Sequence, residues 1–201
     1  MVTYNDIDFY VIKESGVKED TVTLLKAKPL IVSEVETYGV GHINRYNDAP
    51  WGNSSNQVAS ASYDSGGIAF YTSETCGWVN KNFISTGCMN DYASSEVKYV
   101  VDSWGLNKLN LDDLKIDYTG HSLRLITIDE LRNNLGYGDS DTPTENVPLW
   151  VYKHTYWTMS PKDNEIWIVA NNEFGKLKHR TVYDINVSIR PVITLFKSAL
   201  Q

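Results

Sequence analysis

Basic residues are scarce in this sequence and spread thinly along it. The 201 residues include 18 Lys and Arg against 25 Asp and Glu, which leaves a formal net charge of −7 at pH 7. No run of Lys and Arg is longer than two residues. Proteins that hold nucleic acid neutralise phosphates with clustered cations and release counterions. The sequence therefore predicts no nucleic-acid partner.

Long hydrophobic runs are also lacking. A membrane-crossing helix needs roughly 18 or more consecutive apolar residues, and no such stretch occurs. Residues 1–6 lack the basic and apolar regions of a signal peptide. We expect that an export segment was removed, because Met1 resembles an initiator placed directly before the first predicted strand; the alternative is a cytosolic protein.

The short sequence motifs typical of common catalytic sites are missing. The four histidines, His42, His121, His154 and His179, show no His-x-x-x-His spacing, and no Cys-x-x-Cys occurs. There is no Gly-x-Ser-x-Gly elbow, no Walker loop and no dinucleotide fingerprint. We therefore predict no enzyme and no cofactor, although carboxylate pairs for glycoside hydrolysis depend on tertiary distances and stay open.

Only two cysteines are present, Cys76 and Cys88. They flank a Gly-punctuated, strand-like stretch that can double back on itself, so a disulfide is geometrically plausible. In the chain-entropy account a loop of this size is worth about 3 kcal/mol in an oxidising compartment. The alternative is two separate free thiols.

The sequence is rich in aromatic residues and in β-type segments. Two β-rich runs over 8–13 and 21–27 flank a polar loop and predict a hairpin. A polar, irregular insertion over 38–67 follows, and a short strand is expected over 68–71. Further strands are predicted over 156–159, 165–169, 176–182 and 187–196.

Two helices are predicted between these β-rich parts. The first covers roughly 94–105, with Val97, Val100, Val101 and Trp104 on one face. The second begins at Thr127, whose hydroxyl and the Glu130 carboxylate form a capping box, and stops at Gly136. A hairpin, two helices and a meander predict an α+β fold in a single domain over 1–201.

Several motifs together resemble a known family. They are Tyr156-Trp157-Thr158-Met159-Ser160-Pro161, Trp167 with Val169, Gly175, Ile189 to Leu195, Cys76 to Cys88, Val97 to Trp104, and Leu123 to Thr127. This pattern is similar to a bacterial domain family of unknown function, common in Firmicutes, with a C-type-lectin-like fold related to that of formylglycine-generating enzymes. The likeness covers about two thirds of the chain and leaves the 38–67 insertion outside.

The resemblance implies paired N- and C-terminal strands, two helices packed beneath them, and a C-terminal antiparallel β meander as a second sheet. The oxygen chemistry of the formylglycine-generating enzymes uses a cysteine pair near the carboxy terminus, and nothing after Cys88 is a cysteine. The resemblance therefore informs the fold alone. Next to Pro191, the guanidinium of Arg190 is expected to donate hydrogen bonds to backbone carbonyls.

Two sets of residues are candidates for binding. Asp139, Asp141 and Glu145, with Asn146, offer oxygen ligands suited to calcium. A solvated loop is the favoured reading of that set, so calcium is not expected as a cofactor.

Aromatic side chains in polar loops are the second set, because they supply flat apolar area for sugars or proteins. The candidates are Tyr46, Trp51, Trp150 and Tyr152.

These observations favour a non-catalytic extracellular or cell-surface binding module, adhesin- or receptor-like, with a glycan or protein ligand. The first alternative is a pilin-like or appendage subunit without ligand chemistry. The second is a hydrolase whose carboxylates the sequence does not single out.

Overall fold

The regular structure consists of β-strands in three sheets, with α-helices packed against the largest. This computed structural model describes residues 1–14, 20–39, 67–71, 76–79, 82–84 and 86–200. The strands are β1 Val2–Tyr4, β2 Ile7–Glu14, β3 Thr21–Lys26, β4 Gly77–Val79, β5 Asn82–Ile84, β6 Leu123–Arg124, β7 Tyr156–Lys162, β8 Glu165–Ala170, β9 Lys176–Thr181 and β10 Val192–Phe196. The helices are α1 Val32–Tyr38, α2 Glu96–Lys108 and α3 Ile128–Asn133.

The central sheet has five antiparallel strands in the order β1-β2-β3-β10-β6. The predicted hairpin is confirmed as β2 and β3. The predicted pairing of N- and C-terminal strands is also confirmed, with Thr194 of β10 opposite Thr23 of β3. The strands β7, β8 and β9 form a separate antiparallel meander, and β4 pairs with β5. The protein is therefore α+β.

The central sheet is covered on both faces. Successive side chains of a strand point to opposite faces, and in β3 the fully buried Leu24 and Leu25 belong to two different core clusters. The first cluster contains Trp104 of α2, and the second contains Leu131 of α3. The expectation that both predicted helices pack together beneath the sheet is therefore wrong, because their apolar residues cover opposite faces.

The two predicted helices, α2 and α3, begin at the capping residues that their sequences indicate. In α2 the Ser95 hydroxyl accepts a hydrogen bond from Lys98 N at 2.9 Å. In α3 the capping box of Thr127 and Glu130 is present as predicted, and Gly136 has a φ of +88°. The first helix runs on past Gly105, where it was expected to end, to Lys108. A Cβ at position 105 would lie 2.4 Å from the Leu123 side chain, so the glycine lets β6 pack closely on α2.

Three expectations about boundaries are wrong. The described residues contain a third helix, α1, which takes Tyr38 out of the predicted 38–67 insertion; residues 40–66 of that insertion lie outside the described part. The segment 68–71, predicted as a strand, is buried over 68–70 but makes only single backbone hydrogen bonds, such as Ile68 N to Val187 O at 3.2 Å. The last strand, predicted over 187–196, begins only at Val192, beyond Pro191.

No helix in the part of the chain that the structure describes is long and apolar enough to cross a membrane.

The predicted disulfide is present. Cys76 and Cys88 are bonded with their Cα atoms 4.9 Å apart, and the bond spans the β4–β5 hairpin. The alternative of two free thiols is thereby set aside. Bonds of this kind persist in oxidising compartments and are rare in the cytosol.

Removing this bond is expected to destabilise the fold. Because it closes a loop of sequence separation 12, Cys76→Ser with Cys88→Ser should lower the free energy of unfolding by about 3 kcal/mol. Urea denaturation of the variant and of the oxidised protein measures the difference. Intact mass before and after reduction is the control, and two free thiols in oxidatively folded protein would contradict the assignment.

Candidate functional site

A cleft opens at one end of the central sheet, where four parts of the chain meet. Its volume is about 470 Å³. It lies between the β1–β2 turn, the segment that follows β3, helix α1 and the last residue of α2. The lining residues are Asn5, Asp6, Ile7, Asp8, Lys26, Ala27, Lys28, Glu34 and Lys108.

The β1–β2 turn is shaped by its two residues. Asn5 and Asp6 both have positive φ, 49° and 60°, and Asn and Asp tolerate this left-handed region better than other non-glycine residues. The Asn5 Nδ2 donates to Lys108 O at 3.3 Å, which ties the turn to the end of α2. The Ala27 N donates to Asp8 O at 2.8 Å and fixes the neighbouring wall.

Charged side chains of both signs line this cleft. The cations are Lys26, Lys28 and Lys108, and the anions are Asp6, Asp8 and Glu34. Within the described ranges, no ion pair of 4.0 Å or less joins any two of these six. We call this feature the mixed-charge cleft. Since these six charges do not pair with one another, they can interact with solvent or with a ligand.

Lys26 is the most enclosed of the cleft cations. Its Nζ donates to Lys28 O at 3.2 Å and to Pro29 O at 3.5 Å, so both acceptors are neutral carbonyls. Burial lowers the pKa of Lys26, and the charges of Arg190 and Lys28 lower it further against the opposing effect of Glu34. The ammonium is therefore held without an anionic partner at contact distance.

Arg190 lies directly behind Lys26 and is fully buried. Its Nε donates to Lys26 O at 2.8 Å and its Nη2 to Ala27 O at 3.0 Å. Its Nη1 donates to Trp150 O and Val151 O at 3.0 and 3.1 Å. The predicted hydrogen bonds to carbonyls are confirmed. Burial lowers the pKa of Arg190 as well, and the guanidinium fixes the backbone that forms the cleft floor.

His154 is affected by two of the same cations, Arg190 and Lys28. Burial, followed by the charges of Arg190, Lys153 and Lys28, lowers the pKa of His154 to about 4. In a chain of net charge −7, this is a local concentration of positive charge.

The lowered pKa of His154 predicts an acid-sensitive fold. Between pH about 6.5 and about 4, His154 is protonated in the unfolded chain but neutral in the folded chain. The free energy of unfolding therefore falls as the pH falls through this window. With solvent screening the loss is about 2 kcal/mol. His154→Gln should lose less stability than the wild type between pH about 7 and about 4.5 in urea denaturation. Equal losses in the two proteins would contradict this assignment.

Trp150 and Tyr152 lie in packed positions beside the cleft and do not line it. The Trp150 ring stacks on Tyr10 with centroids 4.1 Å apart and an interplanar angle of 8°, and the Arg190 Cζ lies 5.9 Å from its centre. Tyr152 packs so closely on Gly175 that a Cβ there would meet it at 2.4 Å. Tyr46 and Trp51 lie outside the described residues.

The predicted calcium ligands are not gathered around a common point. The Oδ1 of Asp141 accepts from Arg132 Nη2 at 2.9 Å, and Asp139 and Glu145 are exposed. Throughout the described ranges, no group of three or more His, Cys, Asp or Glu residues is placed to hold a metal ion. Calcium binding at this loop stays a hypothesis that no described contact supports.

Sequence reasoning missed the cleft itself. Its members come from residues 5–8, 26–28, 34 and 108, and each reads as an ordinary surface residue in its own segment. The nearest local signal was the Asn5-Asp6 pair, which is typical of a tight turn between strands.

The chain was compared with protein-family models, with curated proteins and with solved structures, and none of them matches it.

Proposed function

We propose that this chain is a non-catalytic extracellular binding module, adhesin- or receptor-like, and that the mixed-charge cleft is its ligand site. The observation that carries the proposal is the set of six charged side chains around a preformed cavity with no ion pair among them in the described residues. The cleft volume of about 470 Å³ lies within the range of about 300–1,000 Å³ that is usual for small-ligand sites.

The walls of the cleft are held before any ligand arrives. The turn is tied to α2 by Asn5, and the floor is tied to the core by the four carbonyl contacts of Arg190. A binding surface that is already ordered loses less entropy when a ligand binds. This rigidity favours recognition over a purely structural role.

The described chemistry supports a role without catalysis. Both cysteines are in the disulfide, so no thiol is available as a nucleophile. Within the described part of the chain, the hydrogen bond of a histidine side chain joins His179 Nδ1 to Glu165 and no serine or threonine. A nucleophile–base pair of the usual kind is thus not assembled among these residues.

The disulfide supports an extracellular or cell-surface location, because such bonds form in oxidising compartments. The C-type-lectin-like fold belongs to the proposal too. The pairing of β3 with β10 and the separate β7–β9 meander agree with what the resemblance implies. The ligand of this module is a glycan or a protein segment presented at a cell surface.

Binding to arrays of surface glycans and short peptides tests the proposal. Lys26→Met and Glu34→Gln each remove one cleft charge with little change of shape, and each should weaken binding about tenfold. Lys162→Met is the matched control, because Lys162 lies at the β7–β8 turn and is 47% exposed. Binding that ignores both cleft variants would contradict the site, and binding of nothing would favour the appendage alternative.

A further inference from the structure

The mixed-charge cleft also carries information about the chemistry of its ligand, and this inference rests on the proposed function. We infer that the cleft binds a zwitterionic ligand of short-peptide size, with its carboxylate at Lys26 and Lys28 and its ammonium at Asp6, Asp8 and Glu34. Lys26 ends β3 and Lys28 follows it, whereas the carboxylates belong to the β1–β2 turn, to the start of β2 and to α1.

The ammonium of Lys26, which is partly buried, has a donor left for a ligand. It has three N–H donors and makes two hydrogen bonds, both to carbonyls, at 3.2 and 3.5 Å. No described carboxylate lies at ion-pair distance from it. Arg190, which donates to four backbone carbonyls, lies behind it. An incoming carboxylate supplies a third acceptor and a countercharge together.

The same cleft also carries the negative charges that would bind the ammonium of the ligand. Asp6 makes no described ion pair, while Asp8 and Glu34 accept hydrogen bonds from Thr3 Oγ1 and Ile31 N, both at 2.9 Å. A carboxylate has about four lone-pair sites, so both retain acceptor capacity for an ammonium.

The lining favours a peptide over a sugar. Its apolar members are Ile7 and Ala27, and no aromatic residue is among the described residues that line it. Sugar rings are usually held by stacking on aromatic faces. A main-chain zwitterion needs no such platform, because charge-assisted hydrogen bonds carry its recognition.

Isothermal titration calorimetry with four matched probes tests this inference. They are triglycine, N-acetyl-triglycine, triglycinamide and N-acetyl-triglycinamide, which differ only in their terminal charges. Triglycine should bind most tightly, each single cap should weaken binding about tenfold, and the doubly capped probe should bind weakest. Equal affinities for the four probes, or no binding by any, would overturn the inference.

Variants assign each charge to its end of the ligand. In Lys26→Met the advantage of the free carboxylate should vanish while that of the free amine remains, and Glu34→Gln should do the reverse. Lys26→Arg, which keeps the charge, should retain the preference for the free carboxylate. If array glycans bind the cleft in a Lys26-dependent manner while triglycine fails, the zwitterion assignment is wrong and the binding site stands.

Discussion

Replacing Arg124 by methionine is expected to lower the free energy of unfolding by about 3–5 kcal/mol. Arg124 is fully buried and serves two carboxylates at once. Its Nη1 and Nη2 donate to both oxygens of Glu130 at 2.8 and 2.6 Å. Its Nε donates to Asp117 Oδ2 at 2.8 Å. Removal of the cation leaves two buried carboxylates without their countercharge.

The hydrogen bonds among Arg124, Asp117 and Glu130 also link separate elements, which adds to the expected loss of stability. Glu130 closes the N-terminus of α3 by accepting from Thr127 N at 3.0 Å. Burial alone would raise the pKa of Asp117, but Arg124 and hydrogen bonds from Thr119 outweigh it and lower that pKa. In Arg124→Met the pKa of Asp117 should therefore rise.

Urea denaturation of Arg124→Met against Lys98→Met measures this effect. Lys98 pairs with Asp102 on the surface of α2, and such a pair is worth below about 1 kcal/mol. Adding Asp117→Asn and Glu130→Gln to Arg124→Met should restore part of the loss, because the uncompensated charges are gone. A loss in Arg124→Met no larger than in Lys98→Met would refute the network's importance.

Replacing Arg190 by methionine is expected to lower the free energy of unfolding by a similar amount, about 3–5 kcal/mol, because several buried carbonyls lose a donor. The reason differs, since Arg190 makes its described hydrogen bonds with backbone carbonyls of Lys26, Ala27, Trp150 and Val151. Methionine removes this donor from all four carbonyls, and of these Val151 O keeps a hydrogen bond from Tyr156 Oη at 2.7 Å. Chemical denaturation gives the magnitude, and Arg190→Lys, which keeps the charge but lacks the planar fork, should recover only part.

Arg190→Met should also change the pKa of nearby groups. The charge of Arg190 lowers the pKa of both Lys26 and His154, so the His154 pKa should rise from about 4 toward its ordinary value in Arg190→Met. An NMR titration of the imidazole measures it. An unchanged His154 pKa in a folded variant would show that Arg190 does not set the potential of this region.

Local sequence signals predicted the parts of the fold that local physics decides. The β2–β3 hairpin follows from two β-rich runs around a polar loop, and the α3 start follows from Thr127 and Glu130, which form their capping box as expected. Arg190 was placed correctly because Pro191 removes a backbone donor beside it. The residues that decide the hairpin and the capping box are close in sequence, whereas the carbonyls that Arg190 binds lie 39 to 164 residues away and were not identified from the sequence.

The remaining features depend on tertiary contacts. Helix α1 has only seven residues, and Val35 is its one buried side chain among those described, so its periodicity is too weak to recognise. The place of β10 between β3 and β6 is a matter of long-range pairing. The mixed-charge cleft combines four distant segments, and Lys26 becomes distinctive only when its burial beside Arg190 is seen.

The most direct test of the central claim is NMR mapping of the ligand that binds most tightly on the glycan and peptide arrays. In a titration of the wild-type protein, backbone amide shifts should cluster at residues 5–8, 26–28, 34 and 108, and they should disappear in Lys26→Met but persist in Lys162→Met. Shifts that cluster elsewhere, or that survive unchanged in Lys26→Met, would contradict the assignment of the cleft as the binding site.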